Sequence, residues 1–262
     1  MHNFDFVRPD NLADAASAMQ AEGAQALGGG QTLMPVMKQR LAAPDTLVSL
    51  AGIPEMIGVC EKDGALVIGG ATTHAQVASD AAGTYPALAA LAGMIGDPAV
   101  RSRGTVGGSL ANNDPAACYP AGALGSGATI TTNTRDIAAD EFSTGMFDTA
   151  LEEGEIITSV TFPIPEKASY QKFEQPASRF ALVGVYVAKF ADGVRVAVTG
   201  ASEGGVFRWT AAEAALSANF SAEVMNGLSL DADGMISDLH GSGAYRAHLA
   251  AVLTKRAVTD AL

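Results

Sequence analysis

Gly28-Gly29-Gly30-Gln31-Thr32 and Thr105-Val106-Gly107-Gly108-Ser109 are the two segments on which the reading of this chain turns. Glycines carry no side chain, so backbone N–H groups can converge on an anion, and the flanking hydroxyls and amide add donors. The first segment follows a short predicted strand (25–27) and precedes a predicted helix (33–41), where the free N–H groups of a helix start can receive a phosphate. Either segment alone is equally a tight turn at a strand end. Together they point to a ligand with two adjacent phosphates. Neither matches Gly-x-Gly-x-x-Gly between strand and helix, and neither continues into Gly-Lys-Ser/Thr. The expectation is a dinucleotide held by a less common fold.

Working outward, residues 3–7 read as a strand and 11–22 as an Ala-rich helix ending at Gly23. Strand-like runs follow at 46–49, 56–59 and 65–68, with turn residues between them. Thr73-His74-Ala75-Gln76 has the capping-box pattern of a helix start, and a second helix spans 85–95. After the second glycine segment come Asn112-Asn113-Asp114-Pro115, a short helix through Cys118 to Leu124, and strands at 128–132 and 156–162. Pro163-Ile164-Pro165 reads as a linker. Beyond it, strands at 170–173, 181–190, 194–198 and 206–209, with Asp192-Gly193 as a hairpin turn, predict an antiparallel sheet. Helices at 210–217 and 244–261 complete the pattern. The class is α+β, without the regular βαβ rhythm of a Rossmann sheet.

Composition narrows the function. Apolar residues make up 48% and charged residues 17%, enough for a filled core, and the net charge of −12 argues against a nucleic-acid surface. An anionic ligand must then be held by local N–H donors rather than by a general positive field. Cys60 and Cys118 are too few and too far apart for an iron–sulfur cluster, which takes four thiolates, and the histidines show no metal spacing. No metal site is expected. The N-terminal segment has no secretory pattern and no apolar run is long enough for a membrane span, so a cytoplasmic protein is expected. Cys60, after an apolar strand, reads as a buried small hydrophobe, and His74 as a structural residue at a helix start.

Four stretches in order carry a family resemblance. They are Leu27-Gly-Gly-Gly-Gln-Thr-Leu-Met-Pro-Val-Met-Lys38, Ile68-Gly-Gly-Ala-Thr-Thr-His74, Asp97-Pro-Ala-Val-Arg-Ser-Arg-Gly-Thr-Val-Gly-Gly-Ser-Leu110 and Phe180-Ala-Leu-Val-Gly-Val185. With Leu239-His-Gly-Ser-Gly-Ala-Tyr-Arg-Ala-His-Leu249 near the end, the chain resembles the FAD-binding medium subunit of the carbon monoxide dehydrogenase and xanthine dehydrogenase family of molybdenum hydroxylases. The resemblance implies a two-lobed FAD domain of the p-cresol-methylhydroxylase type over 1–165, with lobes about 1–55 and 56–165. A small α+β domain with a three- to four-stranded antiparallel sheet would follow over 168–262.

It also implies site residues. Leu27, Gly28, Gly29, Gly30, Gln31, Thr32, Leu33 and Met34 would wrap the FAD pyrophosphate from one side. Thr105, Gly107, Gly108 and Ser109 would close on it from the other. Ile157 would meet the adenine or ribose part, and Lys172 would lie close to the flavin, where a cation stabilises charge on the reduced ring. An ordinary exposed strand lysine is the plain alternative for Lys172. Two departures stand out. Cys118 replaces an acidic FAD contact of many relatives, so that hydrogen bond is lost or moves to Asp114, and Arg179 replaces an acidic residue before Phe180-Ala181. Asn112, Asn113 and Asp114 are either FAD contacts or a helix N-cap.

The resemblance makes this chain an electron-transfer flavoprotein with no catalytic acid, base or nucleophile of its own. Its partners would be an iron–sulfur small subunit with two [2Fe–2S] clusters and a large subunit with a molybdopterin cofactor, in a dimer of heterotrimers. Electrons would leave to an external acceptor. The alternatives are a stand-alone FAD-dependent oxidoreductase of the same fold and a scaffold subunit that binds no flavin.

Overall fold

The computed structural model describes all 262 residues. Its first part is built on β1 (Asp5–Val7), β2 (Ala24–Leu27) and β3 (Thr46–Ser49), a parallel sheet in the order β1-β3-β2. Parallel neighbours need crossovers, and α1 (Leu12–Ala18) and α2 (Leu33–Lys38) supply them. Asn11 caps α1 by accepting the Asp14 N–H at 2.9 Å. The helix stops well before the expected Glu22, because residues 19–23 turn back on themselves and Gly23 takes a left-handed φ of +71°. Ala15, Val48, Ile53 and Met56 fill the small core beneath this sheet.

The second part is a five-stranded antiparallel sheet in the order β4-β5-β10-β6-β7. Its strands are β4 (Val59–Lys62), β5 (Ala65–Gly69), β6 (Thr129–Thr132), β7 (Asp136–Ala138) and β10 (Ile157–Pro163). Between β5 and β6 the chain runs through α3 (His74–Asp80), α4 (Pro86–Gly93), α5 (Pro98–Arg101), α6 (Val106–Asn112) and α7 (Tyr119–Ser126). The strand expected at 56–59 is instead a 3₁₀ turn over Pro54–Met56 followed by β4. Proline at the start of that turn fixes φ for a helical turn and supplies no N–H to a ladder. Cys60 is exposed on edge strand β4, not buried, because only alternate residues of such a strand face the core. After β7, α8 (Ala139–Phe142) leads into a hairpin of β8 (Ser143–Gly145) and β9 (Asp148–Thr149).

The third sheet is antiparallel, β11-β12-β13-β14, over Lys167–Glu174, Ala181–Phe190, Gly193–Thr199 and Phe207–Arg208. Four strands fall within the expected range. The hairpin turn is Ala191-Asp192, one residue earlier than expected, because Gly193 already pairs with Phe190. The run Ala181 to Ala188 is buried throughout. It is covered on one face by α10 (Gly243–Ala261), with α9 (Thr210–Ala218) over its neighbour β13, and on the other by α7. Burial on both faces explains an unbroken apolar stretch where a half-exposed strand would alternate. Through α7 and Tyr186, the core of the five-stranded sheet continues into the third sheet.

Candidate functional site

Between the parallel sheet, the helical segment and the end of β11 lies a cleft of about 740 Å³. Nearly all residues singled out from the sequence line it: Leu27 through Leu33, Thr105, Gly107, Gly108, Ser109, Asp114, Cys118, Ile157 and Lys172. Met34 does not. Its side chain lies beneath Gly30, where an added Cβ would come within 3.0 Å of the Met34 Cγ. Of the Asn112-Asn113-Asp114 triplet, Asn112 and Asp114 reach the cleft. Asn113 is the left-handed C-cap of α6 rather than an N-cap, and its amide donates to Ser143 Oγ and to the carbonyls of Gly145 and Asp148.

The two glycine segments present different chemistry to this cleft. The backbone N–H groups of residues 28 to 33 make no hydrogen bond within the protein. Leu33 to Lys38 then continue as α2, so these amides form a loop running into a helix start. Such a row of donors fits an anion and is costly to leave dry. At the second segment every amide from 106 to 109 is already used. Val106 N–H donates to Thr72 O (3.2 Å), Gly107 to Gly70 O (2.9 Å), Gly108 to Thr105 Oγ1 (3.1 Å) and Ser109 to Thr105 O (3.0 Å). The segment is the capped first turn of α6, not a loop. Its glycines serve close approach: a Cβ on Gly107 would sit 2.7 Å from the Gly70 carbonyl oxygen. Gly29 plays the same part from the other side, since a Cβ there would overlap the Arg103 carbonyl. Gly30, at φ +70°, supplies the left-handed bend that turns the chain into α2.

Another part of the cleft wall is built around Lys172. Its side chain is only 1% exposed, so the exposed-lysine alternative is ruled out. Nζ donates to the Met94 carbonyl at 2.8 Å and lies 3.6 Å from Glu174. Arg101 holds the next two carbonyls of the same turn, donating to Ile95 O at 3.0 Å and Gly96 O at 2.9 Å. Cys118 is buried beside Lys172; burial pushes its thiol pKa up, and the nearby ammonium partly opposes this. Asp114 is half-buried, which raises its pKa, and its Oδ1 accepts the Ala116 N–H at 2.9 Å. Arg179, with a left-handed φ of +61°, sits exposed on the rim with Phe180.

A third wall, Glu152 to Ile156, has no signature in the sequence. It is held by Glu155, whose carboxylate accepts from Arg135 Nε (2.9 Å) and Nη2 (3.0 Å), from Thr132 and Thr134, and from the Glu152 N–H (2.7 Å). Led by the Arg135 hydrogen bond, these donors lower the Glu155 pKa to about 2. His74 is a further lining residue, read as structural from the sequence.

A cleft lined both by a row of unpaired amides and by a buried cation suits an anionic ligand such as a dinucleotide. Residues 2–165 match the family described as "FAD binding domain in molybdopterin dehydrogenase". The chain belongs to this family, and FAD is its cofactor. The carbon monoxide dehydrogenase medium chain of Afipia carboxidovorans is 32% identical, over 99% of this chain and 96% of its own length. The nicotine 6-hydroxylase medium subunit of Paenarthrobacter nicotinovorans is 31% identical, over 98% and 96%. A chain of quinoline 2-oxidoreductase from Pseudomonas putida 86 superposes with a TM-score of 0.89 at 27% identity, covering 99% of this chain and 97% of that one. The chain is thus a flavoprotein of the oxidoreductase class.

Proposed function

We propose that this chain is the FAD-bearing medium subunit of a molybdenum hydroxylase complex. It passes electrons from the [2Fe–2S] clusters of a small partner subunit to an external acceptor, while substrate is oxidised at the molybdopterin cofactor of a large partner. The observation that carries this is the row of unpaired amides from Gly28 to Leu33, facing a dinucleotide-sized cleft. The chain also aligns end to end with medium chains of such complexes. When bound, FAD supplies redox chemistry that can link one-electron and two-electron partners.

Each wall has a part in this reading. Residues 28–33 hold the pyrophosphate by N–H donation, with the Thr32 and Ser109 hydroxyls as further donors. Ile157, buried at the β10 end of the cleft, packs against the adenosine half. Lys172 keeps positive charge beside the ring while tying β11 to the turn at Met94. Cys118 removes a carboxylate from that neighbourhood, leaving Asp114 as the acidic group in that segment of the cleft wall. No helix is long and apolar enough to cross a membrane. A cytoplasmic dimer of heterotrimers completes the proposal.

The test is expression alone and with the two proposed partners. The chain alone should purify with visible flavin absorbance and reduce an artificial acceptor from a chemical donor, but should not turn over substrate. Co-expression should yield a stable three-chain complex that does. Substrate turnover by the isolated chain would favour a stand-alone flavoenzyme. A colourless chain that takes up no added FAD would favour a scaffold.

A further inference from the structure

His74 is the first residue of α3, and its backbone is fixed on the second glycine segment: its N–H donates to Gly104 O at 2.9 Å, and Thr73 pairs with Thr105. The imidazole folds over the Gly104 backbone, so closely that a Cβ on Gly104 would lie 2.6 Å from Nε2. On its other side is the Tyr119 ring, with centroids 5.3 Å apart and planes tilted by 40°. Gly29 packs against the same Gly104 backbone from the first segment. His74 therefore lines the cleft where the two glycine segments meet, beside the row of unpaired amides.

Nothing in the protein satisfies this imidazole. Nδ1 is sealed from solvent without a partner, and Nε2 has no protein partner either. The charged and titratable groups around it are Arg101 of α5 and Tyr119 of α7. Burial, with the Arg101 charge as a smaller contribution, lowers the His74 pKa to about 4, so the ring is neutral near pH 7 and carries a single N–H. A buried orphan N–H is rarer than a buried unused acceptor. The proton therefore belongs on Nε2, and Nδ1 keeps its lone pair.

Building on the FAD reading, we propose that His74 is a further cofactor-binding residue, its Nε2–H donating to the phosphate-bearing segment of FAD where the two glycine segments join. Its backbone bond to Gly104 and the Tyr119 ring fix the orientation in advance, so little freedom is lost on binding.

The experiment is a titration of the flavin-stripped full-length chain with FAD, for wild type, His74→Gln and His74→Phe, with thermal melts as a check on folding. Loss of a hydrogen bond to a charged group should weaken FAD binding by about tenfold or more in His74→Phe. His74→Gln keeps an N–H donor and should stay much closer to wild type. In parallel, the imidazole ¹⁵N resonances of wild type should show Nε2 moving on FAD addition while Nδ1 keeps its lone-pair signature, a readout that needs no variant. Equal affinity of wild type and His74→Phe, with an unmoved Nε2 resonance, overturns the role of His74 and leaves the FAD reading standing. A wild-type chain that takes up no FAD overturns both.

Discussion

Gly28-Gly29-Gly30 and Gly107-Gly108 look interchangeable in sequence, yet their amides are spent differently. In the first, the N–H groups from 28 to 33 are all unpaired. In the second, those from 106 to 109 all end on Thr72, Gly70 or Thr105. One segment leaves its donors unclaimed. The other lets backbones approach closely enough for the first to be placed. A glycine run is therefore evidence of an anion site only once the partners of its amides are known.

The contrast can be broken most sharply at Gly30. Gly30→Asp places a carboxylate beside the donor row and forces a side chain into a left-handed φ. Repulsion of a phosphate at ~4 Å is on the order of 4 kcal/mol at an effective dielectric of ~20, or roughly a thousandfold in FAD affinity. Fluorescence titration of the stripped protein would read it, and near-normal affinity would remove the pyrophosphate from this segment.

Gly107→Ala should act on the fold instead. The added methyl meets the Gly70 carbonyl, and overpacking of this kind costs about 1–3 kcal/mol. Urea denaturation should show that loss, with FAD affinity changed far less than in Gly30→Asp. A collapse of affinity without loss of stability would erase the distinction between the segments.

The buried cation of the cleft wall offers a third comparison. Lys172→Met should leave FAD bound but harder to reduce, since the charge favours the reduced ring. If ~1.4 kcal/mol of stabilisation is lost, a two-electron midpoint falls by about 30 mV. Spectroelectrochemical titration measures it, and an unchanged midpoint places the lysine away from the ring.

Thr105→Ala removes the cap on Gly108 and should cost about 1 kcal/mol of stability. Because the amides at 106 to 109 serve the fold, FAD affinity should move little. A larger effect on affinity than on stability would make Thr105 a direct ligand.

A pH-dependent comparison concerns the wall around Glu155. Its folded pKa of about 2 lies below the usual value of 4.5, so its stabilisation is complete above pH 4.5 and fades as pH falls toward 2. The stability gap between wild type and Glu155→Gln should be widest near neutral pH and narrow through that window, as followed by denaturation at a series of pH values. A gap that does not change with pH would mean the ion pair with Arg135 is not its source.

Much of this molecule is legible along the chain. Local chemistry sets the strand over Ala181–Phe190, the C-terminal helix, the Thr73 cap and the bend at Gly30, because propensity, capping and backbone sterics act within a few residues. The glycine segments, with their Arg-Gly-Thr lead-in, are likewise enough to point to the family.

What the chain does not show is which groups are left over after folding. The amides of 106 to 109 are satisfied by Gly70, Thr72 and Thr105, and those of 28 to 33 are not, because hydrogen-bond supply is settled by segments brought together from afar. Burial follows the same rule. Lys172 is enclosed by the turn at Met94, Cys60 is exposed by its place on an edge strand, and Met34 turns under Gly30 rather than toward the cleft. Local sequence determined the elements and the kind of ligand. Tertiary contacts decided which donors remain to meet it, because an amide is free for a ligand only when no other part of the chain has claimed it.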